Sequence, residues 1–190
     1  LVLEMGANHP GEIGYLSTIA RPDVALITNA GRAHLEGFET LEGVARAKGE
    51  IIGGLPQDGI IVLNADDRWT PLWRKLAEQR RMLLFGRNEM ANVRAHAVEQ
   101  TSGLNGKGFH CHYCIATPRG LLELDLALAG EHNLMNALAA VAVAEALGVE
   151  QEAIRVGLGA LRPVGGRLRP LQGVAGSWII DDSYNANPDS

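Results

Sequence analysis

Four short apolar runs, Leu1–Met5, Val24–Thr28, Ile60–Leu63 and Met82–Phe85, punctuate the first half of this chain, each bounded by Gly, Pro, Asn or Asp. Runs this short and this uniformly apolar are what strands covered on both faces require, since a half-exposed strand would alternate with polar residues. Leu41–Leu55 and Pro71–Arg81, which lie between them, have helical composition. Strand and helix in alternation predict an α/β fold with a mostly parallel, doubly wound sheet. Val93–Glu99, Phe109–Ala116 and Leu121–Leu128 then follow with no helix between them. Turn signals at Asn105-Gly106 and Pro118-Arg119-Gly120 make these an antiparallel meander on the sheet's edge.

Asn133–Leu147 is the clearest helix, rich in Ala and apolar on nearly all sides, so burial is expected. A second helix spans about Glu150–Leu161, and Arg162-Pro163-Val164-Gly165-Gly166-Arg167 then breaks the pattern. This predicts one domain over 1–162 and the start of another over 163–190, with a strand at Ser177–Asp181. The chain opens on Leu1 rather than Met and closes just after that strand, so a longer protein is expected.

Composition narrows the function. A net charge of −5 opposes a sequence-independent grip on nucleic acid, and 5% aromatics leave little for stacking bases. The apolar run Ala137–Val149 is interrupted by Glu145 and too short to span a bilayer, so no membrane insertion is expected. Two cysteines in 190 residues suit a reducing cytoplasm.

In an open parallel sheet, ligands bind beyond the carboxyl ends of the strands. Three such ends carry unusual residues: Glu4-Met5-Gly6-Ala7-Asn8-His9, Asn29-Ala30-Gly31-Arg32-Ala33-His34, and Asp181-Asp182-Ser183-Tyr184-Asn185-Ala186-Asn187-Pro188. A carboxylate beside glycine turns can approach a hydrated Mg²⁺ on phosphates, although Glu4 and His34 also read as ordinary loop and capping residues. Lys48 is sharper. It shares a helix face with Leu41, Val44, Ala45, Ile52 and Leu55. Either it snorkels its charge to the rim, or it is a desolvated amine that binds phosphate or is carbamylated into an anionic metal ligand. Asn133 and Asn136 open a helix otherwise nearly free of polar side chains; one reads as an N-cap, while the other could face a nucleotide. Arg167, after Gly165-Gly166, is either a surface residue or a phosphate contact across a hinge.

His110-Cys111-His112-Tyr113-Cys114 looks like a metal cluster, yet a spacing of three sends the two cysteines to opposite faces of a strand. Gly103-Leu104-Asn105-Gly106-Lys107-Gly108 imitates a phosphate-binding loop, but Thr101 stands where the first Gly belongs and Gly108 where a Mg²⁺-binding hydroxyl belongs. Both are read as structural.

Together these segments resemble the Mur ligases, ATP-dependent amide-forming enzymes of bacterial cell-wall synthesis. The resemblance covers nearly the whole chain through an acidic strand end (Glu4–His9), a histidine motif (Ala33–Phe38), a lysine motif (Ala47-Lys48-Gly49-Glu50), an adenine-side motif (Gly130–Ala137), the Gly166-Arg167 pair and Asp181–Pro188. Sister Mur ligases and folylpolyglutamate synthases carry Asp-His where this chain has Ala33-His34, and Gly6-Ala7-Asn8-His9-Pro10-Gly11-Glu12-Ile13 is the style of a single branch. That branch joins D-alanyl-D-alanine to UDP-N-acetylmuramoyl-tripeptide through an acyl phosphate.

The resemblance implies a cytoplasmic monomer using ATP and Mg²⁺. In it Glu4 and His34 hold the metal, Lys48 is the carbamylated ligand, Asn133 and Asn136 lie near adenine, and Arg167 and Asp182 contact ATP. It also implies a Rossmann-like second domain beginning past Pro163. The family's phosphate-binding loop would lie upstream of Leu1, so these residues alone are expected neither to ligate nor to hold ATP strongly. A sister ligase, or a non-catalytic nucleotide-binding module, remains the alternative.

Overall fold

The computed structural model describes residues 1–31, 38–96, 101–105 and 108–184. In chain order it contains α1 (Glu12–Ala20), β1 (Val24–Ile27), α2 (Leu41–Gly49) continued by a 3₁₀ turn (Glu50–Gly54), β2 (Ile60–Asn64), α3 (Thr70–Ala77), β3 (Arg81–Gly86) and β4 (Val93–Ala95). Then come β5 (Thr101–Asn105), β6 (Gly108–Thr117), β7 (Gly120–Leu126), α4 (Glu131–Ala146), α5 (Gln151–Gly159), β8 (Arg169–Gln172), a 3₁₀ turn (Val174–Gly176) and β9 (Trp178–Asp181).

β1 to β4 run parallel in sequential order, with Val24 opposite Ile60, Ile60 opposite Arg81 and Phe85 opposite Val93. β4 and β5 lie antiparallel on one edge of the long β6, and β7 takes the other. The two-residue period of β2 sorts the core into two layers. Ile61 and Leu63 pack with Ala45, Ile52, Leu55, Trp73 and Ala77 of α2, its 3₁₀ extension and α3. Val62 faces the other way, into Ile115, Leu124, Leu134, Leu138 and Val141, beneath α4. Helices therefore cover both faces, which is why these strands are uniformly apolar.

Three expectations need correction, and part of a fourth lies outside the described residues. Leu1–Met5 pairs with no strand among the described residues, and Leu1, Val2 and Leu3 are exposed. Thr101–Asn105 is an additional strand, so the antiparallel part is a four-strand group around β6 rather than a simple meander. Residues 97–99 of the expected strand Val93–Glu99 fall outside the described residues. α4 is not buried all round: Leu134, Ala137, Leu138, Ala139, Val141 and Ala142 are buried, whereas Asn136 and Ala140 face outward. Glu145 on this helix is almost fully covered and satisfied by the Arg119 guanidinium at 2.8 Å, from the β6–β7 turn.

Among the described residues no helix is long and apolar enough to cross a membrane. Past Pro163 the chain forms the antiparallel β8–β9 hairpin.

Candidate functional site

The carboxyl ends of β1 and β2 are tied together by side chains. Asn64, the last residue of β2, donates its amide to the Thr28 carbonyl at 2.9 Å. Asp67 accepts the Ala30 N–H at 2.9 Å through one oxygen and the Trp69 N–H at 2.7 Å through the other. Between these two anchors, Lys48 on the last turn of α2 donates to the Asn29 carbonyl at 2.6 Å. The lysine is half-buried: desolvation pushes its ammonium below the usual lysine value, against the opposing pull of the Asp67 carboxylate. It is therefore no free surface lysine snorkelling to solvent, but an amine seated against a carbonyl at the sheet's carboxyl edge.

The segment carrying Glu4 reaches the same corner. Ala7 packs against Phe38, Val44 and Ala47 together with Ala30, and the Ser17 hydroxyl points at the Met5 sulfur at 3.8 Å. Glu4 itself is exposed. Glu50, two residues beyond Lys48, fixes the earlier helix α1 by accepting the Gly11 and Gly14 N–H groups at its start, at 2.7 and 3.0 Å. His34 lies outside the described residues.

A second group gathers at the start of α4. The helix begins after Gly130, and neither Asn133 nor Asn136 caps it, which corrects that expectation. Asn133 lies inside the first turn and turns its amide back to the Ala129 carbonyl at 2.7 Å, while Asn136 stays exposed one turn on. A methyl group at Gly130 would lie 3.4 Å from Leu168 Cδ1, so the β8–β9 hairpin abuts this helix start. On the hairpin, Asp182 accepts the Leu168 N–H at 3.1 Å and the Arg167 guanidinium stacks 4.3 Å from the Tyr184 ring. Asp181 accepts the Ser183 hydroxyl at 2.7 Å and the Gly166 N–H at 3.0 Å, which holds its carboxyl below the usual range. Gly166 has φ +75°, and a Cβ there would sit 3.0 Å from the Tyr184 nitrogen, so this close crossing needs glycine.

A Mur ligase middle domain model matches residues 1–144. The chain belongs to the Mur ligase family. An Escherichia coli relative named UDP-N-acetylmuramoyl-tripeptide–D-alanyl-D-alanine ligase is 40% identical over 186 residues, covering 98% of this chain and 40% of that protein. A MurF crystal structure from Acinetobacter baumannii superposes with a TM-score of 0.88 at 39% identity, over 99% of this chain and 40% of that one. A Thermotoga maritima MurF ligase solved in complex with ADP gives 0.82 at 32% identity, over 100% of this chain and 42% of that one. The chain thus spans about 40% of the length of the curated relatives it matches.

The structure brings Lys48 and the Glu4 segment to one corner, and Asn133, Arg167 and Asp182 to another, with no direct contact between the two groups among the described residues. Hydrogen bonds along the rim link them. Asp66 accepts the Arg87 and Asn88 N–H groups at 2.6 and 2.9 Å, and the Arg87 side chain pairs with Glu131, in the first turn of α4, at 2.8 Å. Gly86, at φ +150°, leaves room for this: a Cβ there would fall 2.5 Å from Asp66 Oδ2. Sequence reasoning missed Asn64, Asp66 and Asp67, and named Glu50 only as part of the lysine motif, without its hold on α1. The run Leu63-Asn64-Ala65-Asp66-Asp67 stands at a strand's carboxyl end, the position that singled out the other candidates. Cys111 shares the core face of Tyr113 and Ile115, and Cys114 lies outside that cluster, as the spacing of three requires.

Proposed function

We propose that this chain is the lysine-bearing and adenine-side part of a MurF-type ligase, which uses ATP and Mg²⁺ to join D-alanyl-D-alanine to UDP-N-acetylmuramoyl-tripeptide. The observation that carries the reading is Lys48: a desolvated amine held at the carboxyl edge of a parallel sheet, where such folds bind ligands. The names and high coverage of the relatives support the substrate pair, and the ADP held by the Thermotoga maritima protein supports the nucleotide.

Lys48 fits the metal role only in modified form, because an ammonium has no lone pair to offer. Desolvation favours the neutral amine, whose nitrogen can add to carbon dioxide; a C–N bond forms, one proton leaves to water, and a carbamate anion with two oxygens remains. Those oxygens, with the exposed carboxylate of Glu4 and the ring of His34, suit a hard cation such as Mg²⁺. When bound, Mg²⁺ supplies charge neutralisation on the phosphates. Asn133 and Asn136 would face the adenine side. Arg167 would offer its guanidinium to phosphate, and Asp182 holds the hairpin backbone next to it. ATP would then phosphorylate the tripeptide carboxylate, and the dipeptide amine would displace phosphate from the acyl phosphate. We assign 1–162 to the central domain, 163–190 to the start of the next, and the protein to the cytoplasm as a monomer.

The test uses the full-length protein with ATP, Mg²⁺ and UDP-N-acetylmuramoyl-tripeptide, following phosphate release with and without D-alanyl-D-alanine. Release that depends on the dipeptide is expected. Its absence from intact, folded protein would overturn the substrate assignment, and release with another amino acid would make the protein a sister ligase.

A further inference from the structure

Thr28, Asn29 and Ala30, the three residues beyond β1, are each held by a side chain from another element. The last two bonds fall on a single peptide unit. The Asn29 carbonyl takes the Lys48 ammonium and the Ala30 N–H goes to Asp67, so one rigid plane lies between the two side chains. Rotating that plane to weaken one bond weakens the other, and each bond polarises the amide in favour of its partner. Beyond the ligase reading, on which this rests, we propose that Asp67 is a positioning residue for Lys48, fixing through the Asn29–Ala30 peptide the carbonyl against which the lysine amine is seated.

The chemistry of Asp67 is specific. Both its oxygens accept backbone N–H groups, one locally from Trp69 and one from Ala30 across the strand ends. A carboxylate can do this and an asparagine cannot, since one of its two terminal atoms is itself a donor. Asp67→Asn therefore keeps volume and one acceptor while an NH₂ faces one of the two N–H groups. Asn64 keeps its own bond to Thr28, so the neighbouring anchor is untouched.

The experiment compares wild type with Asp67→Asn in the full-length protein by three readouts. Amide exchange at Ala30 is expected to quicken at least about tenfold, with the amides of α2 unchanged. Acetic anhydride labelling of Lys48 in CO₂-free buffer, read by mass spectrometry, is expected to rise at least about threefold as the amine loses its seat. Turnover is expected to fall about 10- to 100-fold with KM for ATP nearly unchanged, the mark of lost alignment rather than lost binding. Should Asp67→Asn loosen α2 as a whole, Asp67→Ser, which keeps a local acceptor for Trp69, is read the same way. Faster Ala30 exchange with unchanged Lys48 labelling would overturn the proposal, as would a loss of turnover with Ala30 still protected. A wild type that releases no dipeptide-dependent phosphate would sink the ligase reading instead. Exchange and labelling would still decide whether Asp67 seats Lys48.

Discussion

Glu12 is half-exposed yet holds its proton less readily than an ordinary glutamate. The Asn8 N–H at 2.7 Å and the His9 N–H at 3.2 Å both point at its Oε2 and favour the charged form, with the His9 ring at 3.3 Å adding a smaller share. The folded-state pKa therefore lies below the unfolded one, near the ordinary 4.5. The bonds contribute their full stability above that value and lose it as pH falls through the lowered one. The difference in urea midpoint between wild type and Glu12→Gln should be constant from neutral pH to about 5 and close as the solution is acidified further. A gap that persists unchanged to about pH 3 would mean that the loop is folded by something other than this carboxylate. Lys48 shows what the sequence could and could not reveal at this scale. Its place on an apolar helix face was visible from spacing alone, but its partner was not. The Asn29 carbonyl lies 19 residues away and its orientation depends on Asp67, and no local pattern encodes that pairing.

Among the elements, β1, β2, β3, β6, β7 and β9 and the four later helices were legible, because apolar runs and helical spacing stand out between turn residues. α1 was not. Gly11, Gly14, Ser17 and Thr18 are poor helix formers, and its first N–H groups are satisfied by Glu50, 39 residues from Gly11. Leu1–Met5 failed the opposite way: its apolar composition promises a strand, but a strand exists only where a partner supplies the ladder. β5, with Thr-Ser-Gly-Leu-Asn, has no apolar alternation and exists through its register with β6. The joint between α2 and α3 gives this scale its test. Trp73 is fully buried and its indole N–H donates to the Ala45 carbonyl at 2.8 Å, one turn before Lys48. Trp73→Phe should lower unfolding free energy by about 1–2 kcal/mol, and Trp73→Ala by about 3–5 kcal/mol, in urea titrations. A cost near zero for Trp73→Phe beside a large one for Trp73→Ala would show that the bond to Ala45 contributes nothing beyond ring volume.

At the scale of the whole molecule, the question is whether the two residue groups serve one ligand. The Lys48 corner stands beyond β1 and β2, whereas Arg167 and Asp182 sit on a hairpin that touches the start of α4. The bonds from Asp66 to Arg87 and from Arg87 to Glu131 run along the rim between them, yet the half-exposed Arg87–Glu131 pair is too weak to bind the two into one body unaided. In an acidic chain, Arg167 offers positive charge at one end of that rim and the Lys48 corner, on the proposed reading, would offer a Mg²⁺ site at the other, so a polyanion carrying Mg²⁺ and long enough to reach both would join what the protein leaves apart. In the full-length protein, a non-hydrolysable ATP analogue with Mg²⁺ at about 100 times its Kd should add about 2.7 kcal/mol of protection to any opening that releases it. Amide exchange should therefore slow in both places, at Asn29–Ala30 and at Gly166–Leu168, by up to about 100-fold. Slowing at one group alone would assign the nucleotide to that group and leave the other with a different task.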